Sequence, residues 1–126
     1  MPEDFRILVV DDEETVGRAF ARWVRGPSVV VEVLTDARRF GEVMRAFKPT
    51  HVVSDLHMPH VSGIEVLREA REIDARAIRV LLSGSLQSVS KASLAEVEPV
   101  RLIAKPWNAN TLKRDLGIET AGRGAP

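Results

Sequence analysis

Short apolar runs rich in β-branched residues alternate with stretches of helical periodicity along this chain, and that alternation constrains its fold more than any other feature. The runs are Ile7-Leu8-Val9-Val10, Val29 to Leu34, Val52-Val53-Ser54, Ile78-Arg79-Val80-Leu81-Leu82 and Val100-Arg101-Leu102-Ile103-Ala104. Between the first two, Val16, Phe20, Trp23 and Val24 recur at helical spacing up to Gly26-Pro27, with Trp23 expected in the core. Phe40, Val43, Met44 and Phe47 do the same up to Pro49. Ser62-Gly63-Ile64-Glu65 fits a capping box, opening a helix that buries Ile64, Leu67, Ala70 and Ile73. Residues 86–97 predict a weaker helix with Leu86, Val89, Leu94 and Val97 near one face, because four serines between 85 and 93 lower its helicity. Asn108 is the expected N-cap of a short last helix carrying Leu112 and Leu116 and ended by Gly117. Strand and helix in alternation predict an α/β fold, a parallel sheet with helices on both faces. One domain is expected over 1–117, with 118–126 a flexible tail or the start of a linker.

The bulk numbers narrow the function by exclusion. Eighteen basic and eighteen acidic residues cancel, so no basic face advertises direct nucleic-acid binding. The absence of Cys removes disulfides, thiolate catalysis and zinc–cysteine sites. No apolar stretch approaches membrane-spanning length, and a cytoplasmic protein is the default expectation.

The polar residues at the ends of four of these runs carry the chemistry. Asp11 and Asp12 come after the first, Asp55 after the third, Ser83 after the fourth and Lys105 after the fifth. In a parallel sheet these ends meet at one edge, where open α/β sheets hold their ligands. Three carboxylates, a hydroxyl and an ammonium suit a divalent cation and a phosphoryl group, since the cation screens acids that would otherwise repel. Taken singly, each residue has a plainer reading. Asp11 and Asp12 could be helix-start acids, Asp55 a turn residue, Ser83 a loop hydroxyl and Lys105 a solvated charge. His57 and His60 lack a third ligand and read as polar loop residues.

With the acidic pair, Asp55-Leu56-His57-Met58-Pro59, Gly63, Ser83-Gly84-Ser85 and Lys105-Pro106 in this order, the chain resembles a receiver domain of the two-component response regulators. The resemblance runs from about Arg6 to Leu116. It implies a flavodoxin-like, doubly wound five-stranded sheet of order 2-1-3-4-5 and a regulatory domain rather than an enzyme. Asp55 would take a phosphoryl group from a sensor histidine kinase or phosphotransfer protein. Mg²⁺ would be held by Asp12, Asp55 and the His57 backbone carbonyl, with Asp11 acting through a metal-bound water. Ser83 and Lys105 would bind the phosphoryl oxygens, and Lys105-Pro106 would be a cis peptide. The signal would leave through helix 4, strand 5 and helix 5 toward an effector or a fused output domain, and the helix-4 face permits a homodimer.

Two positions depart from the family pattern. Leu102 stands where receivers carry an aromatic residue, and Glu98-Pro99 replaces the Gly-Ala before the last strand. His57 and Ser85 occupy positions that tune hydrolysis of the acyl phosphate in the family. A phosphorylation-independent docking module is therefore an alternative. A phosphatase of the haloacid-dehalogenase type is disfavoured, because its nucleophile ends the first strand as Asp-x-Asp. FMN binding is disfavoured too, because no phosphate loop comes after the first strand.

Overall fold

The computed structural model describes residues 5–118. Five strands, β1 (Phe5–Val10), β2 (Val29–Leu34), β3 (His51–Asp55), β4 (Ile78–Ser83) and β5 (Val100–Ala104), form one sheet of order β2-β1-β3-β4-β5, all pairs parallel. The helices are α1 (Glu14–Val24), α2 (Phe40–Phe47), α3 (Gly63–Ile73), α4 (Lys91–Ala95) and α5 (Leu112–Asp115). The expected α/β class and strand order are both present. Among the described residues no helix is long and apolar enough to cross a membrane.

The period of two along each strand divides the core into two layers. Ile7, Val9, Val53, Val80, Leu82 and Ile103 face Phe20 and Val24 of α1, Leu112 of α5 and Leu116 just after it. Leu8, Val10, Val52 and Leu81 face the other way, against Phe40, Met44 and Phe47 of α2 and Val66, Leu67 and Ala70 of α3. A strand buried on both faces cannot alternate apolar with polar, which is why the central runs read as continuously apolar.

Local signals explain most of the boundaries. The capping box at α3 is complete: Glu65 N–H donates to Ser62 Oγ at 3.2 Å, and Ser62 N–H donates to Glu65 Oε1 at 2.9 Å. Lys48 ends α2 in the left-handed region at φ 54°. The cis Lys105–Pro106 bond is present, and Glu98–Pro99 is a second cis bond.

Four expectations need correction. Trp23 is 53% exposed, not core. Phe20 fills the α1 contact instead, meeting Trp107 edge-on with ring centroids 5.3 Å apart. The weak helix over 86–97 is broken into a single 3-10 turn, Leu86–Ser88, and the five-residue α4. The break falls where Ser90 turns its hydroxyl to the backbone, accepting from Ser93 N–H at 3.0 Å. Asn108 caps no helix: its Oδ1 accepts from Asn110 N–H in a local turn, and α5 begins only at Leu112. Ile118, assigned to the tail, is buried beside Leu112 and Leu116. The remaining tail, 119–126, lies outside the described residues.

Candidate functional site

Parallel register brings the polar strand ends together. Val10 pairs with Ser54, Asp55 with Leu82 and Ser83 with Ala104, so Asp11, Asp55, Ser83 and Lys105 lie along the C-terminal edge of four adjacent strands. Backbone bonds continue past the strands and fix the exits. Asp11 N–H donates to Leu34 O at 3.1 Å, Leu56 N–H to Leu82 O at 3.1 Å, and Lys105 N–H to Ser83 O at 2.9 Å.

Lys105 is the hub of the cluster. Its Nζ lies 2.9 Å from Asp55 Oδ1 and 3.2 Å from Asp11 Oδ2, with the lysine side chain 21% exposed. Burial alone would lower the ammonium's pKa, but the Asp55 and Asp11 carboxylates outweigh it, and the net displacement is upward. Lys105 is thus a held cation rather than a solvated surface charge.

Asp11 is fully buried and splits its two oxygens between two roles. Oδ1 accepts from Glu13 N–H at 2.9 Å, which is the helix-start role of the plainer reading. Oδ2 is buried and makes no hydrogen bond; Lys105 faces it as an ion pair without hydrogen-bond geometry. Burial raises the Asp11 pKa, against the lowering effects of the Glu13 amide and Lys105. A buried carboxylate oxygen in this condition has the Lys105 charge beside it but no well-aligned donor, and can take a further positive partner. Carboxylate oxygens of Asp11, Asp12 and Asp55 all lie within 4.8 Å of one another, and Asp12 is exposed. An all-oxygen donor set with one open side fits a hard divalent cation.

The loop after β3 is shaped by backbone rather than by side chains. A Cβ on Gly63 would collide with the Asp55 carbonyl oxygen and crowd Leu56 Cα at 2.9 Å, and Gly63 N–H closes the loop on Leu56 O at 2.8 Å. His60 sits at φ 72°, a left-handed conformation that its sequence context did not disclose. Neither His57 nor His60 joins the acidic group of possible ligand side chains. Ser83 is buried, and Ser85 N–H donates to its Oγ at 2.9 Å, so it also serves as the loop hydroxyl of the plainer reading.

The profile of the response regulator receiver domain family matches residues 7–116. The hydrogenase transcriptional regulatory protein HoxA of Bradyrhizobium diazoefficiens is 35% identical over 111 residues, 84% of this chain and 22% of that protein. This chain therefore spans about a fifth of that regulator's length. The chemotaxis protein CheY of Bacillus subtilis is 30% identical over 83% of this chain and 88% of its own. The crystal structure of the signal receiver domain of an HD domain-containing protein from Pseudomonas fluorescens Pf-5 superposes with a TM-score of 0.77. Its identity is 19%, covering 96% of this chain and 98% of that one, which bears on the fold alone.

Proposed function

The chain belongs to the response regulator receiver domain family, and from that premise we propose that it is a phosphorylation switch whose acceptor is Asp55. The observation that carries this reading is the buried edge where Lys105 bridges Asp55 and Asp11 while Asp11 Oδ2 stays without a hydrogen bond. An Asp55 oxygen forms the new O–P bond as the bond from phosphorus to the donor's imidazole nitrogen breaks. That nitrogen leaves with the electron pair, so the donor is the phosphohistidine of a sensor kinase or phosphotransfer protein. Lys105, already 2.9 Å from Asp55, presents its charge to the phosphoryl oxygens, and the Ser83 hydroxyl donates to one of them. Positioning and electrostatics supply most of the rate in such transfers.

The donor set suits Mg²⁺, which Asp11, Asp12, Asp55 and the His57 backbone carbonyl would hold. When bound, the cation supplies the positive charge that lets an anionic carboxylate approach an anionic phosphoryl group. The domain runs through Ile118, acts in the cytoplasm and signals through α4, β5 and α5 to an effector or fused output domain, and that face permits a homodimer. What supports this face is Leu102, 46% exposed on β5. The same observation, an exposed leucine in place of an aromatic switch, favours the second reading, a docking module that works without phosphorylation.

Intact mass after incubation with acetyl phosphate separates the two. The switch predicts one phosphoryl adduct that requires Mg²⁺ and is missing in Asp55→Asn. A folded protein that binds Mg²⁺ yet takes no adduct would leave the docking module standing.

A further inference from the structure

One edge of the sheet stands open beside a row of arginines. β2 ends the strand order, and no other described strand pairs with its outer side. Phe5 N–H donates to Ser28 O at 3.0 Å and Asp11 N–H to Leu34 O at 3.1 Å, so the even-numbered residues of β2 turn their backbone groups to β1. The N–H and C=O of Val29, Val31 and Val33 therefore point outward, since backbone direction alternates along a strand. Val29 N–H is taken by Gly26 O at 3.1 Å, which leaves the Val31 and Val33 groups facing the open edge. Such an edge is a template for a further strand.

α1 runs beside it. Gly17 permits the close approach, because a Cβ there would lie 2.6 Å from Val33 Cγ1. Between helix and edge is a groove of about 460 Å³, floored by Ala21, Val31 and Val33 and walled by Arg18, Arg22 and Arg25. The arginines recur at i, i+4 and i+7 and so share one helix face. Arg18 holds Glu14 at 2.7 Å, an exposed pair that contributes little in water. Among the described residues no carboxylate pairs with Arg22 or Arg25.

An extended acidic segment of a partner protein fits both features. Four helical residues advance about 6 Å and two strand residues about 6.7 Å. Carboxylates at alternate positions of an added strand thus fall opposite successive arginines, while its main chain meets Val31 and Val33. A second copy of this chain fits badly. Antiparallel pairing of two β2 edges would set both α1 helices on one face, arginine against arginine. A nucleic acid would use the charge and leave the backbone groups unpaired. We propose that the β2 edge with Arg18, Arg22 and Arg25 is a docking groove for an extended acidic peptide bound by strand addition. The groove does not depend on Asp55 being a phosphoacceptor.

The test titrates the full chain into a short fluorescent peptide alternating glutamate with valine, and reads amide hydrogen exchange of the complex by NMR. Saturable binding is expected, with exchange slowed at Val31 and Val33. Arg22→Glu/Arg25→Glu should weaken it about tenfold or more. A peptide of the same composition with its glutamates in one block should bind about tenfold more weakly, since alternate positions alone face the arginines. Methylating the backbone nitrogens of the glutamates alone, or of the valines alone, should abolish binding in one case and spare it in the other. Those arms use the unaltered protein, so no folding defect enters. Equal binding of the blocked peptide, or binding without protection of Val31 and Val33, would overturn strand addition. A single-stranded oligonucleotide that binds as tightly as the peptide would overturn the choice of partner. No binding at about 1 mM peptide would reduce the arginines to guards of the edge against self-pairing.

Discussion

The two edges of this sheet bury polar groups in opposite ways. At the N-terminal edge such groups are matched among the described residues. Thr50 Oγ1 accepts from Arg6 N–H at 2.9 Å and lies 2.8 Å from His51 Nδ1, while His51 Nε2 donates to Leu116 O at 2.8 Å. The guanidinium of Arg79, 2% exposed, donates to the carbonyls of Val97, Ala75, Ala77 and Glu98 at 2.8 to 3.1 Å. At the C-terminal edge the matching stops short: acids crowd one lysine, and Asp11 Oδ2 has no hydrogen bond. Satisfied polarity ties elements together, whereas unsatisfied polarity is stability forgone at the edge where we propose a cation binds.

If that contrast holds, the largest loss of stability comes from the matched edge. Arg79→Met keeps the bulk of the side chain but strands the buried carbonyls of Val97 and Ala77 and the half-buried ones of Ala75 and Glu98, and should cost roughly 3 kcal/mol, read as a lower urea midpoint. A loss under about 1 kcal/mol would mean that those carbonyls find other partners and that the edge is not held as described. Gly63→Ala should cost about 2 kcal/mol, because the new Cβ meets the Asp55 backbone, and it should also slow adduct formation by displacing the acceptor. Normal phosphorylation in a destabilised Gly63→Ala protein would detach the loop's shape from the chemistry.

The smallest effect is a pH dependence at His51. Burial lowers its pKa below the usual value of 6.5, against a raising effect from the Leu116 carbonyl. The unfolded chain therefore takes a proton before the folded one does, and stability falls as pH drops below about 6.5 and is flat above. His51→Gln should flatten that limb in urea titrations across pH. An unchanged limb would assign it to other groups.

The gathering of the candidate residues was legible in the sequence because they stand at strand ends, where side-chain type and a period of two leave few alternatives: Asp11, Asp55, Ser83 and Lys105 all stand on the expected edge. The matched edge was not legible. Arg79 and His51 sit inside or beside apolar runs, and their partners are backbone carbonyls 18 and 65 residues away in the chain, which no local pattern encodes. Trp23 was misplaced for a related reason. Helical spacing locates a face but not its rim, and the space beside Phe20 is taken by Trp107 from the loop after β5. The serine-rich stretch after β4 carried the right warning about weak helicity, yet where it breaks depends on which hydroxyl turns back on the backbone.

One measurement reaches the contrast itself: thermal unfolding of wild type and Asp11→Asn, each with and without Mg²⁺. Asp11→Asn removes a buried charge from the crowded edge, so without the cation it should be more stable than wild type by about 1 kcal/mol. Mg²⁺ should raise the melting temperature of wild type and much less that of the variant. A variant less stable than wild type without Mg²⁺, or one stabilised by Mg²⁺ to the same extent, would contradict the claim that this edge is built for a cation.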